Sequence, residues 1–81
     1  VLFYDGQYAE AEVFLTDLVR KDGKNSQALF NLGFVYGEQN KYKLAIEAYE
    51  QFLRVADKSD GDIPVAKKKI KELKAKMARG R

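Results

Sequence analysis

Leu29-Phe30-Asn31-Leu32-Gly33-Phe34-Val35-Tyr36, followed after a short interval by Ala45-Ile46-Glu47-Ala48-Tyr49, is the stretch that decides the fold. Leu29, Leu32 and Tyr36 recur at three- and four-residue steps, the spacing of one helix face, and Ala45 and Tyr49 continue that spacing on a second helix. Gly33 and Ala45 are small, which lets two backbones approach closely, while Leu29, Leu32, Tyr36 and Tyr49 fill the space around the crossing. Sliding the chain by 34 residues lays Tyr8 on Tyr42, Ala11 on Ala45, Arg20 on Arg54 and Lys24 on Lys58. Leu15 then faces Tyr49, Leu18 faces Phe52 and Val19 faces Leu53, so apolar character persists where identity does not. The chain contains a repeat.

Working outward, residues 8–21 read as a helix with Tyr8, Ala11, Val13 or Phe14, Leu15, Leu18 and Val19 inward. Lys21 to Asn25 is a turn in which Gly23 is expected to take the positive φ that ends a helix, with Asn25 or Ser26 capping the next. A second helix runs from near Ser26 to Gln39. The Asn40-Lys41 turn is so short that the third helix, about Tyr42 to Ala56, must return antiparallel. Ala45, Ile46, Tyr49, Phe52, Leu53 and Ala56 are its expected inner face. Lys58 to Asp62 breaks the pattern, Asp62 is a candidate N-cap and Pro64 fits a first turn. The last helix, Ile63 to Ala78, has Ile63, Ala66, Ile70, Leu73 and Met77 on one stripe.

A period of 34 with small residues at fixed helix crossings resembles the tetratricopeptide repeat (TPR), whose pattern runs W-x-x-L-G-x-x-Y, then A-x-x-x-F, then P. The resemblance covers residues 1–59, with one complete unit at 26–59. It implies an all-α fold of antiparallel helical hairpins stacked as a right-handed TPR-type solenoid. Val1 falls on Val35 and Leu2 on Tyr36, so residues 1–25 are expected to be the C-terminal part of a truncated repeat, and residues 60–81 a basic capping helix and tail. Three departures stand out. Leu29 replaces the Trp of the pattern, Gly23 and Asp57 stand where Pro is frequent, and Phe52 stands where a small Ala is usual. A ring at Phe52 should hold the following helix away, which suits a cap.

The composition restricts chemistry. The 81 residues include no Cys and no His, which removes the thiolate nucleophile, the commonest general base and the commonest metal ligand. The carboxylate pairs Glu10/Glu12, Glu47/Glu50 and Asp60/Asp62 are most simply solvated helix faces or caps, as Ser26 and Ser59 are most simply helix caps. The Asp57 to Asp62 loop lacks the bidentate Glu of a calcium loop, Lys68 standing in its place. Enzymatic activity, a metal and a cofactor are therefore not expected. No apolar run approaches the roughly 20 residues that span a bilayer, and the compartment is left open. Net charge is +3, but residues 60–81 carry eight basic against three acidic side chains, leaving the first 59 residues two charges negative.

What the resemblance implies for function is protein–protein interaction, through a concave groove lined by the first helices of successive repeats. Carried onto this chain, the groove residues are Gln27, Phe30, Asn31, Phe34, Gly37 and Glu38, with Phe3 and Tyr4 as counterparts in the truncated repeat. Phe30 and Phe34 lie one turn apart, off the stripe of Leu29, Leu32 and Tyr36. They either pack under another element or present an apolar surface. Family members that clamp a C-terminal carboxylate use Lys and Asn here, and only Asn31 matches. The expected partner is therefore an apolar or helical peptide, with Asn31 placed to bond its backbone. The alternatives are self-association through stacked repeats and, more weakly, contact of Lys67, Lys68, Lys71 and Lys74 with an anionic surface. Nucleic acid and membrane are disfavoured, because the basic helix has no aromatic to stack a base or anchor in lipid.

Overall fold

A computed structural model describes residues 5–79, and among these described residues lie four helices: α1 (Asp5–Lys21), α2 (Ser26–Glu38), α3 (Tyr42–Val55) and α4 (Ile63–Arg79). The described residues contain no strand. Consecutive helices pack on one another, α2 against α3 most extensively, then α3 against α4 and α1 against α2. The result is an all-α helical-repeat fold.

Each connection is held by local hydrogen bonds that its sequence supplies. Between α1 and α2, the Asp22 N–H donates to the Leu18 carbonyl at 2.8 Å, and the Asp22 carboxylate accepts from the Lys24 N–H at 3.2 Å. Asn25 is the N-cap of α2, its side-chain oxygen accepting from the Ala28 N–H at 3.0 Å. Gly23 does not take the expected positive φ; no described glycine does. The Asp22 side chain closes this turn in an Asx arrangement, so the backbone has no need of the left-handed region.

That region is used instead by Asn40, with φ 63°. The Lys41 N–H donates to the Tyr36 carbonyl at 2.9 Å and the Asn40 N–H to the Gly37 carbonyl at 3.1 Å. These are the two bonds of a Schellman ending, which places a residue tolerant of positive φ where Asn40 stands. In the loop before α4, Asp57 accepts from both the N–H and the hydroxyl of Ser59, at 2.9 and 2.8 Å, and Asp60 accepts from the Asp62 N–H at 2.8 Å. Ser59 thus serves its own turn and caps no helix, and Ser26 is the first residue of α2 after the Asn25 cap.

At the centre, Gly33 meets Tyr49. A Cβ built on Gly33 would lie 2.9 Å from Cδ1, Cε1 and Cε2 of the tyrosine ring, so the ring face rests directly on the α2 backbone. Tyr49 is 2% exposed and Ala45, beside it on α3, is fully buried. Around this crossing Leu29, Ile46, Phe52, Ala66 and Leu73 form one core cluster reaching into α4. A second cluster, Leu15, Ala28, Leu32, Val35 and Ala48, joins α1 to the other side of the α2–α3 hairpin. Phe52 and Ala66 share the first cluster, a large ring on α3 matched by a small residue on α4.

On α1 the inner stripe is Tyr8, Ala11, Leu15, Leu18 and Val19. Val13 and Phe14, one of which was expected inside, are 69% and 64% exposed. The covered arc of α1 lies chiefly against α2 and does not include them. A polar pin ties α1 to the end of the hairpin turn: the Glu12 carboxylate accepts from Lys41 Nζ at 2.8 Å and from Gln39 Nε2 at 2.9 Å.

Two outcomes follow. Gly33→Ala gains helix propensity worth about 1 kcal/mol but drives a methyl into a ring with nowhere to move, an overpacking cost of about 1–3 kcal/mol. Net destabilisation of about 1 kcal/mol is expected in urea unfolding. Gly37→Ala meets only Leu73 Cδ2 at 3.9 Å, so the propensity gain survives and stability should rise by about 0.5–1 kcal/mol.

A third outcome concerns pH. Lys41's hydrogen bond holds the Glu12 carboxyl below its ordinary value of 4.5, burial opposing and Gln39 assisting. A carboxylate whose folded pKa is depressed contributes stability above its unfolded pKa and loses it as pH falls through the folded one. The wild type should therefore exceed Glu12→Gln at neutral pH by about 0.2–1 kcal/mol, and the gap should close below pH 4.5. Parallel urea titrations at both pH values measure it.

Candidate partner-binding face

The outward face of α2 is a stripe set by helical spacing: Gln27, Asn31, Phe34 and Glu38 are all exposed. They can stay exposed because Ala28, Leu29, Leu32, Gly33 and Val35 supply the buried contacts on the other sides of the helix. A cleft flanks the stripe on each side.

The first cleft lies between α2 and α4. Phe34, Gly37 and Glu38 form one wall, Lys69, Glu72, Leu73 and Lys76 the other, with Gly33 and Tyr49 also lining it. Phe34 is 40% exposed. Lys76 approaches the Tyr42 ring, its Nζ 6.0 Å from the centroid. Glu38 accepts from the Tyr8 hydroxyl at 3.2 Å. Burial, with a lesser effect from the Glu38 charge, pushes the Tyr49 phenol up to about 12, so that group stays protonated and uncharged at neutral pH. The second cleft lies between α1 and α2, where Gln27 and Asn31 meet Phe14, Leu15, Leu18, Asn25 and Ala28.

The six groove residues named on α2 are thus distributed over three environments. Gln27 and Asn31 border the α1 side, and Phe34, Gly37 and Glu38 border the α4 side. Phe30 turns inward. Its ring packs edge-on against Tyr49, with centroids 5.6 Å apart, and tilted against Phe52 at 5.2 Å. Phe3 and Tyr4 lie outside the described residues.

On α4, Lys67, Lys68, Lys71 and Lys74 are exposed and none of them lines the first cleft; the lysines that do are Lys69 and Lys76. Lys69, Glu72, Leu73 and Lys76 share one helical face, a spacing that would have singled them out had the last helix been read as a groove wall. No α4 cation forms an ion pair among the described residues; the salt bridges there join Asp17 to Arg20 and Lys21, and Glu12 to Lys41. The described residues contain no cluster of three or more His, Cys, Asp or Glu placed to hold a metal ion. No described helix is long and apolar enough to cross a membrane.

In comparison with known families, the tetratricopeptide repeat model matches residues 26–59. Comparisons with curated proteins and with solved structures give no significant match. Tetratricopeptide repeats generally act as non-enzymatic modules for protein–protein interaction. Gly33 and Ala45 at the crossing, Tyr49 filling it, and α2 and α3 antiparallel across a Schellman turn are the structural content of that match. Residues 26–59 are a tetratricopeptide repeat segment.

Proposed function

We propose that the chain is an interaction scaffold that binds an apolar or helical peptide of another protein along the exposed stripe of α2, with Phe34 as its anchor. Supporting this reading is one observation above the others: a phenyl ring 40% exposed at the wall of a cleft that Leu73 and Tyr49 also line. An apolar ligand residue entering there gains burial against Phe34 and Leu73, worth about 25 cal/mol per Å² of apolar surface. Asn31, one turn before Phe34 and exposed, is free to hydrogen-bond a ligand backbone. Lys69 and Lys76 on one wall, with Glu38 on the other, add a polar rim that orients the ligand. With neither Cys nor His in the chain, catalysis forms no part of this proposal.

Phe30 serves this face indirectly, by holding α2 against Tyr49 and Phe52. The two phenylalanines should therefore separate experimentally. Phe30→Ala should destabilise the fold by about 2–3 kcal/mol, somewhat below the loss for a fully buried Phe. Phe34→Ala should cost less than about 1 kcal/mol of stability. Selection from a displayed-peptide library should yield peptides with an apolar anchor whose binding falls about tenfold or more on Phe34→Ala. Peptides that bind equally well to Phe34→Ala would show that the partner site lies elsewhere.

A further inference from the structure

Both walls of the α2–α4 cleft lie among the described residues, and they differ in charge. The α2 wall carries a single charged group, Glu38, whose carboxylate already accepts from the Tyr8 hydroxyl at 3.2 Å. The α4 wall carries Lys69 and Lys76 on either side of Leu73, on a helix with seven basic side chains and one acidic one, Glu72. Glu72 stands three residues after Lys69 and four before Lys76, spacings at which helix ion pairs form. Even so, neither lysine is paired with it or with any other carboxylate among the described residues. Lys76 lies instead toward the Tyr42 ring, its Nζ 6.0 Å from the centroid. Gly33 and Tyr49, which also line the cleft, bring no charge, the tyrosine phenol remaining protonated. An apolar seat is thus bordered on one side only by two ammonium groups that lack a carboxylate partner.

The interval between those groups narrows the ligand. Seven residues of helical rise set them about 10.5 Å apart along α4, with Leu73 between. A second helix lying along the cleft repeats that interval on one face, at positions seven apart with an apolar residue three or four from each. An extended strand presents same-face side chains at about 6.6 and 13 Å, and so offers no pair at that interval.

We infer that the ligand of the Phe34 cleft is an acidic amphipathic helix of another protein. Two of its carboxylate side chains, seven residues apart, face Lys69 and Lys76, and the apolar side chain between them sits on Phe34 and Leu73. This inference rests on the proposed function and narrows it, adding the ligand's conformation, charge and spacing to the same anchor. Glu38 on the opposite wall repels a carboxylate, so the helix lies with its acidic edge toward α4 and a neutral or basic edge toward α2. Exposed ion pairs are individually weak, and here they select the ligand and set its rotation more than they hold it.

The test uses three alanine-based helical peptides titrated calorimetrically into the full 81-residue chain. One carries Glu-x-x-x-Leu-x-x-Glu, and the others have Gln or Lys in place of both Glu. The Glu peptide should bind most tightly, the Gln peptide about three- to tenfold more weakly, and the Lys peptide more weakly again. Lys69→Gln with Lys76→Gln should abolish the preference for Glu over Gln. Lys67→Gln with Lys74→Gln, an equal loss of charge at the same seven-residue interval but outside the cleft, should leave most of it. Glu72→Gln should strengthen binding of the Glu peptide. All these side chains are exposed, so helix circular dichroism should be unchanged in each variant. Equal binding of the Glu and Gln peptides, each lost on Phe34→Ala, overturns the inference and leaves the Phe34 anchor standing. A preference that falls equally in the two lysine double variants also overturns it, since only the general charge of α4 would then be at work. Absence of binding by all three peptides overturns it as well, while the displayed-peptide selection still decides the anchor.

Discussion

The face of Tyr49 lying on the backbone of Gly33 is the contact on which the rest of the molecule depends. It fixes how closely α2 and α3 approach and therefore where every other side chain of the hairpin ends. With the ring filling the crossing, Leu29 and Phe52 meet in the same cluster, and Phe30 closes over the edge of the tyrosine. Moving α2 outward by the radius of a methyl group would open voids beneath all of these side chains. Close-packed interiors tolerate such voids poorly, because each lost contact forfeits dispersion energy without admitting water.

Because α2 is held this way, three helices share its circumference. Leu29 belongs to the cluster that includes Ala66 and Leu73 of α4, while Ala28, Leu32 and Val35 belong to the cluster with Leu15 of α1. What remains is a narrow outward stripe with a cleft on either side. An interaction repeat works in this manner: the core consumes most of one helix, and the residue is a rigid, shaped surface with little ordering entropy left to lose on binding. The polar pin of Glu12 with Gln39 and Lys41 adds orientation at one end, and the Schellman turn at Asn40 fixes the angle at which α3 departs.

The fold was largely legible in the sequence, because its determinants are local or periodic. The Gly33, Ala45 and Tyr49 spacing, the Asn25 cap and the short Asn40-Lys41 turn each specify geometry within a few residues. The site was less legible, for a reason that Phe30 makes plain. A 3.6-residue period predicts one buried stripe, whereas a helix packed by three neighbours buries a wider arc, and Phe30 falls in the added part. Ala48 was missed on α3 for the same reason. Val13 and Phe14 show the converse, since α1 packs chiefly on α2 and buries less than its apolar content suggests. On α4, charge drew attention to Lys67, Lys68, Lys71 and Lys74, but only packing reveals that Lys69 and Lys76 border the cleft. Gly23 misled because glycine permits positive φ without requiring it, and the Asp22 carboxylate offered another way to close the turn.

The most direct test of the Gly33–Tyr49 contact is the proton chemical shift of the Gly33 α-protons. A proton held against the face of an aromatic ring is shielded by the ring current, and the effect decays steeply with distance. If the crossing is as close as described, one Gly33 α-proton resonates well upfield of both α-protons of Gly37, which lies one turn further along α2, and the shift collapses on Tyr49→Leu. Gly33 α-protons at ordinary helical positions, indistinguishable from those of Gly37, would contradict the account at its foundation.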